Sequence, residues 1–105
     1  MNTEVSILHH DYPSHVRETV DARLQQLQKY YNGTVSVRAL LERQADEHRV
    51  EIVTRTASGP TLVVDSCTET FGSALDEAIA RMKRLLKREH DMHTTVRRRP
   101  HRANT

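Results

Sequence analysis

Apolar and polar positions along the 105-residue chain follow two different periods. Between Glu4 and Leu8, Val5 and Ile7 alternate with polar neighbours, which predicts a short strand. Asp11-Tyr12-Pro13-Ser14 reads as a turn, with Ser14 placed to cap a helix. Val16, Val20, Leu24, Leu27 and Tyr31 then recur at spacings of four, four, three and four. That spacing is one face of an amphipathic helix. Asn32-Gly33 follows, and both residues tolerate the left-handed conformation that ends helices.

The period then drops to two. Val35, Val37, Ala39 and Leu41 alternate with Ser36, Arg38, Leu40 and Glu42. Gln44 to Glu47 is a polar connection, Val50 and Ile52 flank Glu51, and Ala57-Ser58-Gly59-Pro60 is a turn. Leu62 and Val64 alternate with Val63 and Asp65 up to Cys67. Short polar connections between such runs predict an antiparallel meander. Helical spacing returns with Phe71, Leu75, Ala78, Ile79, Met82, Leu85 and Leu86, which predicts a helix over 69–90 capped by Thr68 or Thr70. The order β-α-β-β-β-α gives an α+β fold. A four-stranded, mostly antiparallel sheet carries both helices on one face. The other face is expected to be solvated, with side chains such as Arg38 and Arg55.

Composition narrows the class. Hydrophobic residues make up 36% of the chain, with one Phe, three Tyr and no Trp, so the core must be aliphatic. No apolar run approaches the roughly 18–20 residues of a membrane span, and no membrane partner is expected. The first residues lack the pattern of a signal peptide. The one cysteine, Cys67, suits a reducing compartment, and a cytoplasmic location is expected.

The net charge of +2 hides a segregation. Residues 1–80 carry 7 Lys+Arg against 12 Asp+Glu, whereas residues 81–105 carry 9 against 2. Charge separated in this way makes a local positive field whose partner is a polyanion. Arg81, Arg84 and Arg88 stand at i, i+3 and i+7 of the last helix, and Lys83 and Lys87 at i and i+4. The two rows flank the apolar stripe as a cationic ridge. With so few aromatics for stacking on unpaired bases, folded RNA read through phosphates and shape fits better than single strands. Residues 94–105, with Arg97-Arg98-Arg99-Pro100-His101-Arg102, have no apolar period and are expected to form a basic disordered tail after a domain spanning 1–93.

At this point the residues resemble a known family. Arg23-Leu24-Gln25-Gln26-Leu27-Gln28-Lys29-Tyr30-Tyr31, His48-Arg49-Val50-Glu51-Ile52 and Phe71-Gly72-Ser73-Ala74-Leu75-Asp76 with Arg81 and Arg84 are similar, in order and spacing, to motifs of the ribosome hibernation-promoting factor / ribosome-associated inhibitor A family. The resemblance covers roughly residues 4–92. It implies a topology like that of a double-stranded-RNA-binding domain. It also implies docking on the small ribosomal subunit and its rRNA, in the mRNA/tRNA channel, to silence or protect idle ribosomes under stress. By position it assigns RNA contacts to Arg23 and Lys29 on the first helix and to Arg81, Arg84, Lys87 and Arg88 on the second; Lys83 joins them from the cationic ridge. Gln26 stands where the family usually has Lys, Leu85 replaces a usual Gln, and Ala80 and Lys83 replace common acidic positions. The family's long form carries a further C-terminal dimerisation domain, so ribosome pairing through such a domain is not expected, and the protein is expected to be a monomer off the ribosome. The alternative is a generic double-stranded nucleic-acid-binding domain.

Other chemistries are weaker. His9, His10 and His15, and His90 with His93, lack the convergent cysteines that zinc sites use, so no metal or other cofactor is expected. Cys67 has no nucleophile signature around it, Asp76 and Glu77 diverge as helix neighbours, and no small-molecule substrate or enzymatic activity is expected. Tyr30 and Tyr31 are candidates for stacking on a base, with Tyr31 expected rather to staple the first helix to the sheet.

Overall fold

The computed structural model describes the backbone of residues 1–8 and 12–103 and the side chains of 1–8 and 12–93. The elements are β1 (Asn2–Leu8), α1 (His15–Gln26), a 3-10 turn (Leu27–Tyr30), β2 (Thr34–Gln44), β3 (Glu47–Thr56), β4 (Thr61–Thr68) and α2 (Phe71–Ala103). The strands lie in the order β1-β2-β3-β4. β1 runs parallel to β2, Val5 opposite Ala39, because α1 carries the chain back between them. The β2–β3 and β3–β4 pairs are antiparallel hairpins.

Both helices cover one sheet face, α1 over β1 and β2 and α2 over β3 and β4. Val16, Val20, Leu24, Leu27 and Tyr31 are all buried, as their spacing predicts. From the sheet they meet Val5, Val37, Ala39, Leu41, Val50, Ile52 and Val64, and α2 adds Ala74, Leu75, Ala78, Met82 and Leu86. Aliphatic surface removed from water stabilises such a core at roughly 25 cal/mol per Å².

Four local expectations change. Ser14 already has helical backbone angles and makes no capping bond from its side chain. Neither Asn32 nor Gly33 adopts a left-handed angle; the helix tightens into the 3-10 turn instead and leaves through an extended Tyr31. Gly33 is needed for space, since a Cβ there would fall within the Tyr31 ring. Val35 is exposed rather than inward, because the register shifts between Thr34 and Ser36 and puts Thr34 in the core. The buried Thr34 hydroxyl is satisfied by donating to the Tyr31 carbonyl at 2.9 Å. Last, α2 continues to Ala103, beyond the end near His90 that apolar spacing predicts. The stripe marks only where the helix packs, and the residues that follow it still include good helix formers. At the start of α2 the expected cap forms, with the Ser73 amide donating to Thr70 Oγ1 at 3.2 Å.

Each edge strand has a carbonyl held by an arginine of the helix above it. Arg17 of α1 donates to the Val5 carbonyl, and Arg81 of α2 donates to the Asp65 carbonyl at 2.5 Å. Such bonds occupy backbone acceptors on strands that have only one neighbour in the sheet.

Candidate nucleic-acid interface

The seven cations singled out by sequence fall into three groups. Lys29, Lys83 and Lys87 come together. Lys29 sits in the 3-10 turn, where the chain leaves α1, and Lys83 and Lys87 are one turn apart on the flank of α2 that faces it. All three ammonium groups surround the Tyr30 ring, at 5.2, 5.1 and 5.7 Å from its centroid. Packing raises the Tyr30 phenol, but Lys29 and Lys83 outweigh that effect and leave it below its ordinary value. Beside the ring lies a groove of about 550 Å³, lined by Lys29, Tyr30, Tyr31, Asn32, Lys87, His90 and Asp91.

Arg23 and Arg81 are engaged elsewhere. Arg23 bonds Asp76 at 3.1 Å, tying α1 to the start of α2. Arg81 holds Glu77 one turn back as well as the β4 carbonyl. Arg84 and Arg88 form the third group. They are exposed, and among the described residues neither makes an ion pair. By helix rotation of about 100° per residue they lie with Arg81 on the flank opposite the lysines. The arginine-rich segment 94–105 lies outside the residues whose side chains are described.

The open sheet face differs from its expected character. Arg38 and Arg55 are exposed there, as expected. Its middle is occupied by Arg49, which donates to Asp65 at 2.9 Å, Glu51 at 3.1 Å and Glu42 at 3.3 Å. The bonds to Asp65 come first in raising the Arg49 guanidinium above its ordinary value. These carboxylates come from three strands and meet only through register, Glu42 opposite Arg49 and Glu51 opposite Asp65.

The remaining candidates are settled locally. Cys67 is exposed and donates to Glu47 Oε2 at 2.8 Å. That bond, with desolvation and the charge of Glu47, pushes the thiol above its ordinary value, the opposite of an activated nucleophile. Tyr31 is buried and donates to Ser58 Oγ at 3.2 Å, so it staples the end of the first helical segment to the β3–β4 turn. His93 stacks on the Tyr31 ring at 5.6 Å, and His90 lies 3.5 Å from Asp91. His9 and His10 lie outside the described residues; among the described ones no three His, Cys, Asp or Glu side chains converge as metal ligands. Sequence reasoning missed the role of Tyr30, although Lys29 beside it and the i, i+4 pair Lys83–Lys87 were visible.

Comparison with known proteins agrees with this architecture. The structure resembles the Thermus thermophilus Protein Y N-terminal domain, with a TM-score of 0.74 at 22% identity over 84% of this chain and 98% of that one. It also resembles a ribosomal subunit interface protein from Coxiella burnetii, with a TM-score of 0.71 at 12% identity over 90% of this chain and 99% of that one. A search of curated proteins finds no match. The family model described as Sigma 54 modulation protein / S30EA ribosomal protein matches residues 3–94, which takes in the helical ridge and all of the strands but Asn2, and the chain therefore belongs to that family of ribosome-associated proteins.

Proposed function

We propose that this protein is a translation inhibitor that docks on the small ribosomal subunit in the mRNA/tRNA channel and silences or protects idle ribosomes under stress. Family membership supports the ribosome as partner. The observation that carries the mode of binding is the cluster of Lys29, Lys83 and Lys87 around one ring beside an open groove. Among the described residues these ammonium groups have no carboxylate partner, which leaves them to neutralise rRNA phosphates and release counterions. Arg84 and Arg88 extend the cationic surface along the helix. Arg23 and Arg81 contribute field while holding the helices in place, and the basic segment 94–105 adds further attraction to the body formed by 1–93. The mechanism is steric: a rigid basic domain occupies space that mRNA and tRNA need. It requires no catalysis, metal, small molecule or membrane, and it fits a bacterial, cytoplasmic protein that is monomeric off the ribosome.

Gradient sedimentation of cell extracts tests this reading. The protein should travel with small subunits and idle ribosomes, and an Arg84→Glu, Lys87→Glu, Arg88→Glu variant should remain at the top of the gradient. Retention of that variant on small subunits contradicts the site. Release of the native protein by excess free duplex RNA would favour the generic double-stranded nucleic-acid binder instead.

A further inference from the structure

We infer that Tyr30 is a positioning residue of this interface, its ring gathering Lys29, Lys83 and Lys87 into one phosphate-binding cluster. The inference rests on the proposed docking but makes a separate claim about what organises the site. Lys83 and Lys87 are like charges at i and i+4, a spacing at which they repel. Lys29 brings a third positive charge from another element. No ion pair with a carboxylate relieves this crowding among the described residues. What the three groups share is the electron-rich tyrosine ring, with every ammonium within 6 Å of its centroid.

A lysine is a point charge on a flexible stem, so an unheld lysine must be ordered when a phosphate arrives. Held against a common ring, three lysines lose part of that disorder before binding. Tyr30 is itself partly buried at the end of the 3-10 turn and packs against the core, so its ring is a fixed platform. Asp91 lines the same groove without bonding any of the three lysines. The depressed phenol agrees with this geometry, since it registers the positive field at the ring.

Two measurements on the full chain test the inference. The first is affinity for purified small ribosomal subunits. Tyr30→Phe keeps a ring and should bind within about twofold of the native protein, whereas Tyr30→Leu should bind about tenfold more weakly while keeping its circular dichroism spectrum. The second is the titration of the Tyr30 phenol, followed by its Cζ resonance in tyrosine-labelled protein. The Lys29→Met, Lys83→Met variant should move the titration upward, because fewer positive charges stabilise the phenolate. Bound small subunits should move it the same way, as phosphates neutralise the ammonium groups. Folded Tyr30→Leu binding like the native protein overturns the inference and leaves the docking proposal intact. So does a phenol titration unmoved by the double lysine substitution, a result that stands even where Tyr30→Leu fails to fold. Failure of the native protein to bind small subunits overturns the docking proposal instead, and the titration then decides the cluster.

Discussion

The open sheet face and the groove beside α2 both gather charged side chains, but they resolve the charge in opposite ways. On the sheet, Arg49 is surrounded by Glu42, Glu51 and Asp65, and Cys67 is bonded to Glu47. At the groove, Lys29, Lys83 and Lys87 gather around a tyrosine ring, and Lys29 and Lys87 also line the open space beside it. A polyanion gains little from a guanidinium already shared among three carboxylates, and it gains counterion release from each unpaired ammonium. Net charge along the chain points toward the second half of the molecule. The pairing of individual cations then separates those that bind a partner from those that hold the fold.

The comparison breaks first at Arg49. Arg49→Met leaves three carboxylates together on the sheet face. Because the arginine side chain is 24% exposed, the cost should fall below that of a fully buried pair, at about 2 kcal/mol of stability in urea unfolding. Small-subunit binding should change less than twofold; a large loss would mean that the sheet face also meets RNA. On the groove side, Gly33→Ala pushes a Cβ into the Tyr31 ring and should cost about 1–2 kcal/mol in the same assay, through a displaced ring and a lost bond to Ser58.

Smaller effects sharpen the picture of the sheet. Ala45, in the β2–β3 hairpin, has a positive φ of 53°. Ala45→Gly removes the strain of a Cβ in that region and should raise stability by about 0.5–1 kcal/mol, offset in part by glycine's chain entropy. The smallest effect is chemical. Glu47 holds the Cys67 thiol above its ordinary value, so Glu47→Gln should lower it, increase the thiolate fraction and speed alkylation by iodoacetamide several-fold at neutral pH. The sign for stability follows the same cause: the raised thiol contributes below its unfolded value and the contribution is lost as pH rises through the folded one. An alkylation rate unchanged by Glu47→Gln would remove Glu47 as the cause.

Much of the fold was legible because it rests on period. Val16 to Tyr31 and Leu75 to Leu86 declare buried faces by spacing alone; the first is buried as spaced, and in the second Leu75, Ala78, Met82 and Leu86 are buried while Ile79 and Leu85 are half-buried at its margins. The bulge that turns Val35 outward was not legible, since one extra residue shifts the phase without changing the apolar pattern. The space that Gly33 leaves for Tyr31 depends on a ring placed by tertiary packing. For the site, the helix flanks carrying Lys83–Lys87 and Arg84–Arg88 follow from spacing. The engagement of Arg23 with Asp76, 53 residues away, does not. Nor does the Arg81 bond to a β4 carbonyl, because both partners are set by how α2 crosses α1 and the sheet edge. From the sequence Tyr30 was a candidate for stacking on a base, and its setting emerges only when α2 brings two more lysines to the same ring.

The most direct test matches charge reversals on the two sides of the molecule and measures affinity for purified small ribosomal subunits across a range of salt. Lys83→Glu with Lys87→Glu and Arg38→Glu with Arg55→Glu change the net charge equally. The groove pair should lose on the order of a hundredfold in affinity and flatten the log–log salt slope by roughly 1.4–1.8, the worth of two phosphate contacts, while the sheet pair stays within about threefold. Equal losses from the two pairs would contradict the account, since the ribosome would then be responding to total charge and not to the lysines gathered at the Tyr30 ring.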